Sequence, residues 1–211
     1  MLANILHLAP NSLISMHHIY HTQGFILQAM NSGESNKFIT IFTRDLGLIR
    51  ASAQGARFLK SKLRYSLQEF SYAEVSLVHG KSGWRITNAK QIRSLYEHFK
   101  DSSEKLELAA RILFLLRRLL HGEEKNERLF LVIEHGFEFL KKQVSTIEES
   151  ANFELIIVLR VLHILGYVGK VPALSIFIES PDINPAMLPE IARIRLEAIS
   201  TINKSLKETQ L

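Results

Sequence analysis

The chain has 211 residues and a hydrophobic fraction of 46%, values typical of a folded protein with one large domain or two smaller ones. It contains no cysteine, which excludes disulfide bonds, thiolate zinc sites and cysteine nucleophiles. The formal net charge is +5, and the excess of basic over acidic residues lies in the first half of the chain.

Residues 1–93 carry 11 lysines and arginines against 4 acidic residues, a net charge of +7, whereas the remaining residues carry 15 against 17. This asymmetry predicts that the first half contacts a polyanion and that the second half has another role.

The first twenty residues contain no basic segment followed by a continuous apolar core, so they do not resemble a signal peptide. The most apolar run, Leu155–Leu165, is interrupted by Arg160 and His163 and is too short to cross a bilayer. We therefore expect a cytoplasmic protein, in which residues 1–21 form an N-terminal extension.

Residues 22–93 have the pattern of β-strands. Five short runs rich in β-branched and aromatic residues are bounded by turn sequences, with a longer insert after the third run. The runs are Gly24–Met30, Lys37–Thr43, Leu48–Ala53, Glu69–Val78 and Gly83–Ala89. Five strands at this spacing predict an OB-fold, a small five-stranded β-barrel.

From about residue 102 the apolar residues recur with a helical period. The predicted helices are Glu104–Leu120, Asn126–Gln143, Asn152–Leu165 and Pro189–Leu206. The third of them is the most apolar and is expected at the centre of a helical bundle. The fold class is therefore α+β, with an OB-fold β-barrel at residues 22–93 followed by an all-α helical bundle at residues 94–211.

The most distinctive segment follows the third predicted strand. Arg57, Lys60, Lys62 and Arg64 place four cations within eight residues, directly after a Gly-Ala pair. A basic cluster next to an OB sheet can follow a sugar–phosphate backbone. Phosphate contacts would then dominate affinity and carry no sequence information. A solvated loop explains the same charges, so their spacing alone does not decide between the two interpretations.

Aromatic side chains on which bases stack are the second requirement for binding a single strand. Phe58 lies inside the basic cluster and is the preferred stacking residue. Trp84 follows a glycine-rich turn, and both a stacking role and a core position fit it. A position in the barrel core is expected for Phe38, Phe42 and Phe70.

A series of short motifs follows in order along residues 22–92, with a looser match at Leu165-Gly166-Tyr167. They are Ser32-Gly33-Glu34-Ser35, Phe42–Ile49, Gly55-Ala56-Arg57, Lys60–Arg64, Leu67–Phe70 and Gly83–Thr87. In this order they resemble the signature of the RecO family of bacterial recombination mediators. The resemblance implies binding to single- and double-stranded DNA. It also implies non-enzymatic annealing of complementary strands coated with single-stranded DNA-binding protein, in DNA repair.

The resemblance also implies site residues and partners. By position, Arg57, Lys60, Lys62 and Arg64 match the family's basic DNA-contacting loop, and the same face is extended by Lys37, Arg44, Arg50 and Arg85. The implied partners are RecR and the acidic C-terminal tail of the single-stranded DNA-binding protein. Many relatives carry a four-cysteine zinc site after the Leu-Gly-Tyr motif. This chain has no cysteine, so we expect neither a metal nor another cofactor.

Arginines within the apolar helices are candidates for partner contacts. Such a cation reaches solvent, pairs with an acid, or lines a groove for an acidic and apolar peptide. An ion pair between Glu107 and Arg111 on one helix is the simpler interpretation there. Arg117 and Arg160 are retained as candidate sites for the acidic tail.

The sequence gives little support for a metal site or a catalytic site. His17 and His21 are spaced to share a helix face, but no cysteine or nearby carboxylate completes a metal-ligand set. There is no nucleotide-binding or nucleophile motif, and Glu123-Glu124 and Glu148-Glu149 resemble solvated helix ends. Nothing pairs the carboxylates into an acid/base dyad or a two-metal site, which counts against a metal-dependent nuclease. An OB-fold RNA-binding protein without annealing activity has the same charge pattern and is the alternative.

Overall fold

The computed structural model describes residues 18–180 and 182–208. Most of the predicted N-terminal extension, including His17, lies outside the described residues. The first strand begins at Ile19, inside the range predicted as extension.

Five strands form a closed barrel in the order β1-β2-β3-β5-β4. Neighbouring strands are antiparallel except β3 and β5, which are parallel. The strands are β1 (Ile19–Ser32), β2 (Asn36–Thr43), β3 (Gly47–Ala53), β4 (Ser71–Gly80) and β5 (Gly83–Ser94). The predicted OB-fold barrel is therefore confirmed.

Strand β1 closes the barrel because its two ends pair with different strands. Its first part pairs with β4 and its second part with β2, and Gly24 takes part in both pairings. A Cβ atom at Gly24 would lie 2.5 Å from Ile41 Cγ2, so a larger residue does not fit there. The interior is filled by small and β-branched side chains, among them Ile26, Ile39, Ile41, Ile49, Ala51, Val75 and Ile86.

A short helix, α1 (Leu63–Ser66), interrupts the connection between β3 and β4, and the remaining helices follow the barrel. They are α2 (Leu95–Phe99), α3 (Ser103–Leu119), α4 (Glu127–Gln143), α5 (Ile147–Ile164), α6 (Ser175–Glu179), α7 (Met187–Arg193) and α8 (Arg195–Glu208), with a 3₁₀ turn at Pro172–Leu174. Helix α5 contacts α3, α4, α6, α7 and α8, which confirms its predicted central position.

Side-chain caps mark the beginnings of the three long helices. The side chains of Ser102, Asn126 and Thr146 each accept a hydrogen bond from a backbone N–H of the first turn. Glu149 bonds back to the N–H of Thr146, so α5 begins with a complete capping box. These caps satisfy backbone donors that a helix leaves unpaired, and they fix where each helix begins.

The prediction of one helix over Pro189–Leu206 is wrong, because the chain forms two helices that meet at Ile194. The backbone of Ile194 leaves the helical conformation, with φ −115° and ψ 24°. Its N–H donates to Ile191 O (3.2 Å), whereas its carbonyl accepts from Ala198 N (3.0 Å) as the start of the next helix. Neither glycine nor proline marks this position, so the apolar period continues through the break.

The barrel and the helices share one hydrophobic core. Phe25, Phe42 and Tyr72 point outward from the barrel and pack against Phe130 and Phe137 of α4. Ring centroids lie 4.7 Å apart for Phe25 and Tyr72, 5.3 Å for Phe25 and Phe130, and 5.5 Å for Phe42 and Phe130. Phe130 and Phe137 are two turns apart on one side of α4, so the helix is fixed against β1, β2 and β4.

The single polar group inside this aromatic cluster has partners. The Tyr72 hydroxyl lies 2.7 Å from Gln23 Oε1 and 2.8 Å from Glu134 Oε1. Burial, together with the hydrogen bond to Glu134, raises the pKa of Tyr72. The hydroxyl therefore stays protonated and remains a donor at every pH at which the protein would be handled.

The turn between β2 and β3 lies directly against the loop that precedes α4. Leu48 N donates to Gly122 O at 3.2 Å. Gly47 has a φ of +69°, and a Cβ atom at this position would collide with the backbone of Glu124. Glycine at position 47 thus allows the barrel and the helical part to approach at backbone distance.

We expect Gly47→Ala to lower the free energy of unfolding by about 2–4 kcal/mol, because it adds a backbone collision to the strain of a positive φ. Gly33→Ala is the matched control: its φ is +61°, but nothing lies within 4 Å of the added Cβ. It should cost only about 1 kcal/mol. Urea denaturation of both variants measures the difference, and equal losses would contradict the packing described here.

Candidate nucleic-acid interface

The predicted basic cluster lies on the segment between β3 and β4. The chain turns at Gly55 (φ +64°), runs along the surface, and enters α1. Ala56 and Leu67 are fully buried in the barrel core and anchor the segment at both ends. The cations between these anchors point to solvent, with Arg57, Lys60 and Lys62 exposed and Arg64 half-buried.

Hydrogen bonds attach this segment to the turn between β1 and β2. Gly55 N donates to Asn36 Oδ1 and Arg57 N donates to Ser35 O, both at 3.0 Å. The Arg57 guanidinium donates to Gly33 O. Arg57 therefore positions the segment as well as adding charge, and both turns are held together at one end of the barrel.

A second group of basic residues lies on the outer surface of β2, β3 and β5. Phe38 pairs with Ser52 across β2 and β3, and Ser52 pairs with Arg85 across β3 and β5. These three residues form a row about 10 Å long. Arg50 lies on the same side of β3 as Ser52, with its guanidinium carbon 5.1 Å from the centre of the Phe38 ring.

A groove of about 480 Å³ continues this row toward the turn between β4 and β5. Ser52 and Arg85 belong to both the row and the groove. The other lining residues are mostly small or polar and include Gln54, Lys81, Ser82 and Gly83. The surface is thus concave and basic.

Protein carboxylates do not neutralise this surface. Within residues 18–180 and 182–208, no aspartate or glutamate forms an ion pair with Lys37, Arg50, Arg57, Lys60, Lys62, Arg64, Lys81 or Arg85. The barrel arginines that do form ion pairs, Arg44 and Arg93, bind Glu127 and Glu138 of α4. The remaining barrel cations are therefore available to an external polyanion.

Arg44 does not belong to this surface, which corrects the prediction. Its Nε and Nη2 atoms lie 3.1 and 3.0 Å from Glu127 Oε1, and this hydrogen-bonded carboxylate raises the pKa of Arg44. It follows β2, whereas Lys37 lies near the beginning of that strand. Seven residues of extended chain place the two about 23 Å apart, at opposite ends of the barrel. Lys37 itself is half-buried at the end that carries the basic segment.

Phe58 and Trp84 lie in different environments. Phe58 is 61% exposed and its ring lies over Gly55, so it is accessible to a base. Trp84 is only 8% exposed and packs edge-on against Tyr20 and His79, with centroid distances of 5.0 and 4.7 Å. The structure therefore selects the core position for Trp84 from the two that the sequence allowed.

The expectation of a barrel-core position is wrong for Phe38, which is 39% exposed on the outer surface. Strand alternation explains this, because Ile39 and Ile41 fill the interior and their neighbours must point outward. Phe42 also points outward but is covered by α4. Phe70 packs against the helical core, with a φ of +62° that is unusual for a bulky residue.

Comparison with known proteins agrees with this geometry. Residues 16–95, which include the whole barrel, match a family described as Recombination protein O N terminal. The DNA repair protein RecO of Alkaliphilus metalliredigens is 30% identical over 154 residues, covering 73% of this chain and 60% of that protein. The RecO of Dehalococcoides mccartyi is 30% identical over 163 residues (74% and 59%), and that of Clostridium perfringens 32% over 146 residues (69% and 56%).

Residues 16–95 belong to the RecO N-terminal family, and the chain is similar to RecO proteins over 69% to 74% of its length. This confirms the resemblance found in the sequence motifs. The matched part covers between 56% and 60% of the length of these three RecO relatives.

Arg160 is not a surface residue, so its predicted contact with a partner is wrong. It lies in α5 and is 1% exposed. Its Nε donates to Phe177 O (2.7 Å) and its Nη2 to Asp182 O (2.9 Å). Burial lowers the pKa of Arg160 to about 10. The side chain holds the α6 segment against α5.

An apolar groove of about 640 Å³ opens between α3, α5 and α8. Arg118 at its edge is exposed and has no carboxylate partner among the described residues. Arg111 pairs with Glu154 across the groove, at 2.8 and 2.9 Å, and not with Glu107 as the sequence suggested. The guanidinium carbon of Arg117 lies 4.9 Å from the Phe114 ring. The apolar lining includes Phe70, Phe114, Leu115, Leu155, Ile202 and Leu206.

The described residues contain neither a metal-ligand group nor a helix that could span a membrane. None of the described helices is both long and apolar enough to cross a membrane. No group of three or more histidine, aspartate or glutamate side chains is placed there to hold a metal. His18 packs against Tyr20, and His21 Nδ1 lies 3.0 Å from Ser76 Oγ.

We expect Arg160→Met to lower the free energy of unfolding by about 2–4 kcal/mol, because buried carbonyl groups lose a charged donor. Arg118→Met, on the exposed edge of the groove, should change it by less than about 0.5 kcal/mol. Thermal and urea denaturation would measure both. A fully stable Arg160→Met protein would rule out the structural role assigned to this arginine.

Proposed function

We propose that this protein binds single- and double-stranded DNA through its barrel. It then promotes, without catalysis, the annealing of complementary strands coated with single-stranded DNA-binding protein, in recombinational DNA repair. Residues 22–93 would form the DNA-binding domain and residues 94–211 the partner-binding domain. The observation that carries the proposal is the basic surface of the barrel. Its cations have no carboxylate partners among the described residues, and residues 16–95 belong to the RecO N-terminal family.

Phosphate contacts supply most of the affinity in this proposal. Lys60, Lys62 and Arg64 follow one another along the surface segment, and Arg50 and Arg85 extend the charge over the sheet. Each neutralised phosphate of a single strand releases counterions, so the affinity falls with salt by a slope of about 0.7 per contact. Contacts of this kind do not read base edges, and binding is therefore independent of sequence.

Annealing follows from the same electrostatics. Two complementary strands are polyanions that repel each other, and a basic surface bound to one of them lowers that repulsion. Because the contacts are to phosphates, base edges stay available for pairing with a second strand. The reaction breaks no covalent bond, so it requires no acid, base or nucleophile from the protein.

The helical domain is the proposed site for protein partners. The apolar groove between α3, α5 and α8 has Arg118 at its rim and Arg117 beside it on Phe114. An acidic segment with apolar side chains, such as the C-terminal tail of the single-stranded DNA-binding protein, matches both features. RecR is the second proposed partner, on the basis of family membership.

The first test mixes complementary oligonucleotides coated with single-stranded DNA-binding protein and follows duplex formation without nucleotide or metal. The variant is Lys60→Glu, Lys62→Glu, Arg64→Glu. The control reverses three exposed cations of the helical domain: Arg193→Glu, Lys204→Glu, Lys207→Glu. Both variants change the net charge equally, so only the position of the charge differs. We expect the first variant to lose annealing and the control to retain it.

The possible outcomes distinguish an error in the assigned DNA-binding site from an error in the proposed annealing function. The first variant should also show a shallower salt dependence of binding, by about 2 in the slope, because three phosphate contacts are lost. Equal annealing by both variants would leave the function standing and remove the basic segment as its site. If the wild type fails to anneal and prefers RNA, the protein is instead an RNA-binding OB-fold.

A second test concerns the groove. Arg117→Glu, Arg118→Glu should weaken binding of a fluorescent peptide with an acidic, apolar C-terminus by about tenfold, a loss of about 1.4 kcal/mol. DNA affinity should not change, since these arginines belong to the helical domain and not to the basic surface of the barrel. Arg193→Glu on α7 serves as the control for charge reversal alone. Unchanged peptide binding in the double variant would exclude this groove.

A further inference from the structure

Phe38 is an aromatic ring that the fold leaves uncovered. Phe42, four residues along the same side of β2, is fully buried beneath α4, whereas Phe38 is 39% exposed. No described element packs over the row formed by Phe38, Ser52 and Arg85. A large aromatic side chain on an exposed sheet surface loses the hydrophobic gain of burial unless something binds there.

The surroundings of Phe38 identify the kind of ligand. Arg50 lies over its ring, and Arg85 lies across the sheet about 10 Å away. Beyond Arg85 the groove is lined mostly by small and polar residues, among them Lys81. An acidic peptide offers carboxylates to these cations but no regular series of flat aromatic groups for the exposed ring. A chain that alternates flat aromatic groups with negative charges fits it better.

We propose that Phe38 is a platform on which one base of single-stranded DNA stacks, while the adjoining phosphates lie against Arg50 and Arg85. The inference rests on the proposed function and deepens it by assigning a contact to the bases. It also predicts selectivity, because bases within a duplex are already stacked and paired and have no free face for the ring. Phe38 therefore contributes to the binding of single strands and not of duplexes.

The position of Phe38 in the sheet suits this role. β2 is hydrogen-bonded to β1 on one side and β3 on the other, so the backbone that carries the ring is rigid before DNA arrives. Phenylalanine has only two side-chain torsions, and the contact with Arg50 restricts them further. Little conformational entropy is lost when a base stacks on such a ring.

The test compares three fluorescent ligands with equal numbers of phosphates per strand: a thymidine oligonucleotide, an abasic oligonucleotide and a duplex. We expect Phe38→Ala to weaken binding of the thymidine strand by about tenfold, the middle of the range for one stacked base. Binding of the abasic strand and the duplex should not change, and neither should the salt dependence. Phe38→Trp should retain the full affinity, since it keeps an aromatic face.

Tyr96→Ala is the control. Tyr96 is also an exposed aromatic residue, at 62%, but it lies on α2 and outside both proposed binding surfaces. Its removal should leave binding of all three ligands unchanged. Phe38→Leu checks folding, because it keeps an apolar side chain without an aromatic face and should weaken binding as alanine does.

Two results would contradict the proposal that a base stacks on Phe38. One is equal weakening on thymidine and abasic strands, since the lost contact would then not involve a base. The other is unchanged binding of Phe38→Ala to every ligand, while the Lys60→Glu, Lys62→Glu, Arg64→Glu variant still binds weakly. In that case the proposed function stands and the platform fails. Absence of DNA binding by the wild type would instead refute the proposed function itself.

Discussion

The packing of Phe25, Tyr72 and Phe130 determines how the rest of the molecule is arranged. A barrel of this size has a small interior, filled here mainly by isoleucine, valine and alanine. Small domains bury too little apolar surface to be very stable alone. The aromatic residues on one outer face extend the core into the helices, so α4 covers that face. On the outer surface of β2, β3 and β5, Phe38 and Arg85 are exposed, and this face is open to a ligand.

Positively charged side chains have different partners on the covered and the open face of the barrel. At the covered face Arg44 and Arg93 meet glutamates of α4, and these pairs surround the aromatic cluster. On the open face the cations have no carboxylate partners among the described residues. Like charges held close together destabilise a compact protein, and the binding of a polyanion relieves that repulsion. The uneven charge of the sequence therefore reflects a surface whose partner is another molecule.

Much of the architecture follows from local sequence. Turn sequences and runs of β-branched and aromatic residues predicted the five strands, and the helical period of the apolar residues predicted α3, α4 and α5. The missed features depend on contacts between distant segments. Alternation puts both Phe38 and Phe42 outside the barrel, but only the packing of α4 decides which one is covered. The burial of Arg160 depends on carbonyl groups 17 and 22 residues later in the chain. The break at Ile194 carries no residue that ends helices.

The hydrogen bonds from Gly55 and Arg57 to the β1–β2 turn have a consequence for how such proteins vary between species. Two loops that are tied together cannot change length independently. An insertion in one of them would move its bonding groups out of reach of the other and release the basic segment from its fixed position. Natural variants should therefore alter both loops together or neither, whereas the β4–β5 turn, which has no such tie among the described residues, is free to differ.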